Sequence, residues 1–153
     1  MEYRFTVLGD PVAKARPKFR TVVTKSGKTF GSAYTPKKST SFENLVKTSF
    51  SAQVGAVVPT ELGVKLKVTA YFMPPQATPK YRKELIQTTL VPVLKKPDID
   101  NVVKSVLDAL NQVVYQDDKQ VYSMICNKFY SFRPRTEVTI ITEDELETTE
   151  LPF

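Results

Sequence analysis

The sequence predicts a single small α+β domain, with a mixed or antiparallel sheet covered by helices on one side. Three observations predict it. Strands with alternating apolar and polar residues stand at both ends of the chain and near its middle. Between them lie segments whose apolar residues recur at helical spacing, and no repeat, linker or low-complexity tract divides the 153 residues. A chain of this length buries roughly 68–70% of its unfolded surface without a disulfide or metal staple.

The elements follow in order. "EYRFTVLG" at the N-terminus places Tyr3, Phe5 and Val7 on one face of a strand and Arg4 and Thr6 on the other, and Gly9, Asp10 and Pro11 end it. The next stretch, residues 14–38, interleaves basic residues with Phe19, Phe30 and Tyr34 and has no helical period; it predicts a loop or a loose hairpin around "KSGK". Thr40 with Glu43 three residues on is a capping box, and Phe42, Leu45, Val46, Phe50 and Val54 continue it as a helix. "VKLKVTAYFM" alternates as a half-buried strand stopped by Pro74 and Pro75, and "TPKYRKELIQ" is a short helix with Pro79 at its first position. Val102, Val103, Val106, Leu107 and Leu110 form the stripe of an amphipathic helix, with Asp100 as N-cap and Asn111 at its end. Two strands, from Val121 and from Thr136, flank a turn at residues 133–135 and close the fold.

Composition removes whole classes of chemistry. The chain has no histidine, so a Ser-His-Asp triad, a Cys-His pair, a His-ligated zinc and an imidazole base are all excluded. Cys126 is the single cysteine, so no intrachain disulfide forms and the expected compartment is the cytoplasm. The N-terminus lacks the apolar core of a signal peptide, and no run approaches the ~18 apolar residues of a membrane span. Catalysis must therefore run on carboxylates, lysines and metal-bound water.

Charge is divided along the chain. Residues 1–97 carry 17 Lys/Arg and 5 Asp/Glu, net +12, and residues 98–153 carry 5 and 11, net −6. A basic surface attracts a polyanion, and a local acid cluster suits a hard cation. In the basic half, Lys14, Arg16, Lys18 and Arg20 are candidate phosphate contacts, with Phe19 or Tyr34 available to stack; a solvated connector is the plain alternative.

"KKPDIDNVVKSVLDALNQVVYQDD", residues 95–118, holds five of the seven aspartates. Some must serve as caps and turns, because Asp favours both. Pro97 keeps its predecessor extended, and in extended chain Asp98 and Asp100 project to one side, where they can share Mg²⁺ before the helix. Lys104 lies one turn beyond Asp100 and Asp108 one turn further, a spacing that an i, i+4 ion pair also explains. Of the adjacent Asp117 and Asp118, only one is expected to reach the same wall; a turn at "QDDK" is the other use for them. Carboxylates gathered without a cation or basic partner repel one another, so the joint pattern points to metal-dependent phosphodiester chemistry.

This stretch, extended to "KKPDIDNVVKSVLDALNQVVYQDDKQV", resembles the core motif of the RusA family of Holliday junction resolvases, and "GDPVAKARPKFR" resembles the basic N-terminal segment of its phage-type members. The resemblance implies a homodimeric, Mg²⁺-dependent endonuclease, with Mn²⁺ as the other candidate ion, that cuts four-way DNA junctions by paired incisions. By position it makes Asp98, Asp100 and Asp118 the metal-binding acids and Lys104 the active-site lysine, with Asp117 a neighbour. The helix stripe and the aromatic strand faces are both candidates for the dimer interface. The nuclease domain is expected over residues 1–142, followed by a tail at 143–153. That tail, "EDELETTELPF", is similar to the acidic, Pro-Phe-terminated tip of bacterial single-stranded-DNA-binding proteins, which docks on repair enzymes; it is expected either as a plain solvated, flexible tail or as a segment that competes for or mimics that docking tip. The competing readings are a non-catalytic basic DNA-binding module, in which the acids are caps and turns, and a metal nuclease for other branched nucleic acids.

Overall fold

In the computed structural model, which describes residues 1–15, 18–34 and 37–143, four strands form one mixed sheet. They are β1 (Glu2–Leu8), β4 (Val64–Phe72), β5 (Val121–Tyr130) and β6 (Arg135–Thr142), in the order β1-β6-β4-β5. β6 runs antiparallel to both neighbours, and β4 runs parallel to β5. A parallel pair cannot be closed by a tight turn, so the chain between β4 and β5 crosses over through α2 (Lys80–Thr88) and α3 (Ile99–Leu110). This crossover brings the aspartate-rich stretch onto the domain.

The basic N-terminal stretch folds as the hairpin expected around "KSGK": β2 (Lys18–Val23) pairs antiparallel with β3 (Thr29–Tyr34) in a separate two-stranded ribbon. Its turn is closed by the Thr24 amide on the Lys28 carbonyl at 2.8 Å and uses Gly27 at φ +80, a conformation that a side chain would strain.

One face of the sheet meets α1 (Lys37–Gln53) and α3. Phe5, Val7, Leu66, Val68, Val138 and Ile140 are buried there against Phe42, Val46 and Phe50 of α1 and Val103, Val106 and Leu110 of α3. Phe50 meets Phe5 edge to face at 5.4 Å, a favoured aromatic geometry. The other face, with Arg4, Thr6, Lys65, Lys67, Thr139 and Ile141, is open. The expectation of helices on one side of a mixed sheet holds for α1 and α3.

Three expectations are corrected. The first helix starts at Lys37, ahead of the Thr40–Glu43 capping box, and Glu43, inside the helix, is engaged by a lysine distant in sequence. α3 starts at Ile99, so Asp98 is its N-cap and Asp100 sits in its first turn; Asp98 has the extended φ −66, ψ 143 that a cap requires. The α3 stripe is spent on the core, with Val102 at 1% and Val106 at 0% exposure, and is not a surface for a partner. The described residues contain no helix long and apolar enough to cross a membrane. The acidic tail, apart from Glu143, lies outside the described residues.

Candidate active site

The burial of one face of α3 aims the other face outward. Asp100, Lys104 and Asp108 follow at i, i+4 and i+8, so they stack along that polar face opposite the apolar stripe. Asp98 makes no side-chain cap hydrogen bond, and the Asp100 Oδ1 accepts only the neighbouring Asn101 amide at 2.9 Å. Both residues are exposed at the helix N-terminus, where the helix dipole favours negative charge. The segment leading to them is held by Lys128 of β5, whose Nζ donates to the Lys95 carbonyl at 3.0 Å and the Pro97 carbonyl at 2.7 Å. The expected extended pairing of Asp98 with Asp100 is replaced by a cap and a first-turn residue.

Beyond α3 the chain doubles back. The buried Tyr115 donates its hydroxyl to the Leu107 carbonyl at 2.7 Å, and the Gln116 amide bonds the Thr60 carbonyl at 3.2 Å. The hydroxyl's pKa is pushed upward, first by burial and then by the charges of Asp118 and Asp108, so Tyr115 stays a neutral donor. This return carries a 3₁₀ turn (Asp118–Gln120) to the side of α3. The turn separates the adjacent acids. Asp117 caps it, accepting the Lys119 amide at 2.9 Å, while Gln120 answers by accepting the Asp117 amide at 2.9 Å. Asp118 instead turns its Oδ2 to Lys104 Nζ at 2.8 Å, across fourteen residues of sequence.

Lys104 is shared. Its Nζ lies 2.8 Å from Asp118 Oδ2 and 3.0 Å from Asp108 Oδ1, so the i, i+4 ion pair and the long-range contact coexist. The Asp118 carboxylate and then that of Asp108 raise the Lys104 pKa above the ordinary lysine value, and Lys104 holds Asp118 below the usual carboxylate range. The other oxygen of Asp108, Oδ2, lies 3.3 Å from Lys14 Nζ, which also meets Glu43 Oε1 at 2.6 Å. Partial burial disfavours the charge of Lys14, but Glu43 and Asp108 outweigh it and leave its pKa raised. Five side chains of alternating sign thus run from α1 to the 3₁₀ turn: Glu43, Lys14, Asp108, Lys104, Asp118.

Lys14 is therefore placed inside the site, with its amine on two carboxylates and its backbone amide on the Asn101 carbonyl at 2.8 Å, and is not displayed as a free phosphate contact. Lys18 and Arg20 occupy β2 opposite Tyr34 and Ser32, and Arg16 lies outside the described residues. Sequence reasoning placed neither Glu43 nor Lys128 at the site: Glu43 reads as half of a capping box and Lys128 stands in no motif, and each acts on residues remote in the chain. Cys126 has no nucleophilic part here, since burial pushes its thiol up to about 11.

The donor set fits a hard divalent cation in kind: carboxylate oxygens around a helix N-terminus, with no imidazole or thiolate among them. Asp118 already holds a cation in the form of the Lys104 ammonium. As placed, no three Asp, Glu or Cys side chains among the described residues stand close enough to hold an ion. Part of the charge balance demanded by the clustered acids is met by Lys14 and Lys104.

Comparison with known proteins bears on the same residues. The chain is 37% identical over 139 residues, 90% of its own length and 94% of the relative's, to the uncharacterized protein YqaN of Bacillus subtilis (strain 168). It matches the family described as endodeoxyribonuclease RusA over residues 9–141, which takes in the hairpin, the α3 acids, the 3₁₀ turn and the sheet strands other than β1. Matched over residues 9–141 by the family and along most of its length by the relative, the chain is a member of the RusA endodeoxyribonuclease family.

Proposed function

We propose that the protein is a homodimeric, structure-selective endonuclease that resolves four-way DNA junctions by paired incisions and works with Mg²⁺ or Mn²⁺. The observation that carries this reading is Lys104, held between Asp108 and Asp118 on a helix that begins with Asp98 and Asp100, within a family of endodeoxyribonucleases. Asp98, Asp100 and Asp118 are the residues assigned to the cation. A bound divalent ion would supply Lewis-acid charge and a water of lowered pKa. The chain's own part is positional and electrostatic. The α3 N-terminus favours an anion beside Asp98 and Asp100, and Lys104, half exposed, offers its ammonium to phosphate charge that grows in the transition state. A second copy suits a junction because its two equivalent strands match a two-fold axis. The first half of β5, an edge strand of the sheet, with Met124 and Ile125 exposed, supports such pairing. Residues 1–142 are assigned to the nuclease and the acidic tail to contact with a repair protein.

The test is cleavage of a labelled four-way junction beside a linear duplex of the same sequence, with Mg²⁺ or EDTA, for the wild type and Asp100→Asn. Paired, symmetric nicks on the junction alone are expected, lost in EDTA and in the variant, with junction binding retained or strengthened. Binding without cutting under every metal would return the acids to the role of caps and turns.

A further inference from the structure

We propose that Asp108, itself fixed by Lys14 and Glu43, is the anchor that keeps Lys104 at the active site when a divalent cation takes Asp118. The inference rests on the metal-nuclease reading above and adds three positioning residues to it. The geometry divides the work between the two oxygens of Asp108: Oδ1 holds Lys104 at 3.0 Å and Oδ2 holds Lys14 at 3.3 Å. Lys14 is fixed from three directions, by Glu43 at 2.6 Å, by Asp108 and by its own amide on the α3 backbone.

Burial is graded along the chain of charges. The side chains of Glu43, Lys14 and Asp108 are 16%, 22% and 19% exposed, against 48% for Lys104. The inner three are held by packing and the outer ammonium is left reachable. Charge is graded too, since Glu43, Lys14 and Asp108 together carry one net negative charge, enough to retain one ammonium. With Asp118 given to a cation, Asp108 is the acceptor Lys104 keeps. With Asp108 made neutral, Lys104 has Asp118 as its sole carboxylate among the contacts above and opposes the entry of any cation there. Lys14 also ties the chain ahead of the basic hairpin to α3 through its amide on the Asn101 carbonyl.

The experiment has two arms on the full-length protein. The first is calorimetric titration with Mn²⁺ alone, without DNA. Asp108→Asn is expected to weaken Mn²⁺ binding by about 10-fold, the lower end of what outer-sphere partners of metal sites are worth. Lys104→Met is expected to strengthen it, and the Asp108→Asn, Lys104→Met double variant should bind as Lys104→Met does, because the competing ammonium is gone. The second arm measures junction affinity in EDTA and single-turnover cleavage at saturating protein. Lys14→Met should lower the saturated cleavage rate by about 10–100-fold while leaving affinity and its salt dependence unchanged, and Lys14→Arg should restore most of the rate.

Mn²⁺ affinity unchanged in Asp108→Asn overturns the proposal. So does a Lys14→Met protein that cuts at the wild-type rate when saturated but binds DNA more weakly, with a salt slope reduced by about 1, the signature of a direct phosphate contact. Melting curves check that each variant folds, and the conservative Lys14→Arg carries the test if Lys14→Met does not. A wild-type protein that binds Mn²⁺ but cuts no DNA would overturn the proposed function alone, and the titration would still decide the positioning role.

Discussion

Lys104 and Asp118 illustrate what a residue type can announce and what it cannot. The motif singled out both, as well as Asp98 and Asp100, because short acids and a lysine at helical spacing have few joint uses. It did not reveal that Lys104 bridges two carboxylates, a contact that joins α3 to a turn fourteen residues away. The pair has a consequence for acid stability. Asp118 has a folded pKa below its unfolded value, which is near ~3.9, so its contribution is present above that value and is lost as pH falls through the folded one. In EDTA, melting temperature should fall more steeply for the wild type than for Asp118→Asn as pH is lowered from roughly 5 toward 2. The difference will be small, under about 1 kcal/mol, because Lys104 is half solvated and its pair is screened. Equal slopes would mean that the contact contributes nothing in solution. Lys14 marks the limit of residue-scale reading: a lysine in a basic stretch reads as a phosphate contact, and burial against Glu43 and Asp108 gives it another use.

At the scale of elements, periodicity performed well wherever one face is buried. The strands β1, β4 and β6 and the stripe of α3 follow the alternation and helical spacing of the sequence, because burial of one face is what both patterns encode. Ends were read less well. The capping box at Thr40 did not start α1, which begins at Lys37, and Glu43 meets Lys14. The adjacent Asp117 and Asp118 could not be told apart by spacing alone. The 3₁₀ turn separates them into a cap and a lysine partner, so on the proposed function the turn's integrity matters to the site. Asp117→Ala should cost about 1 kcal/mol of stability, as the loss of a cap does. It should also lower the saturated cleavage rate, because Asp118 and Lys104 lose their register; thermal melts and single-turnover cleavage measure the two effects. A stable variant with full activity would show that Asp118 is held by other means.

For the whole molecule, the opposite signs of the two halves of the chain are brought together. The basic hairpin segment is tied through Lys14 to the helix that carries the acids. Junction binding measured between 50 and 200 mM salt should weaken along a straight log–log line, with a slope of about −0.9 for each phosphate neutralised. A flat line would remove the basic half from the interface. Composition alone narrowed the chemistry open to this protein, because a chain without histidine and with a single cysteine is left with carboxylates, lysine and metal-bound water. The spacing of Asp98, Asp100 and Lys104 determined that they follow one another along the first turns of α3, since local spacing is preserved on a helix; Asp118 lies beyond it. Only the tertiary structure decided which groups meet across the chain: Lys14 with Asp108, Glu43 with Lys14, Lys104 with Asp118 and Lys128 with the segment before Asp98. Those contacts depend on the parallel crossover between β4 and β5 and on the return of the chain after α3. Periodicity reports the buried face of each element and carries no information about its neighbours in space.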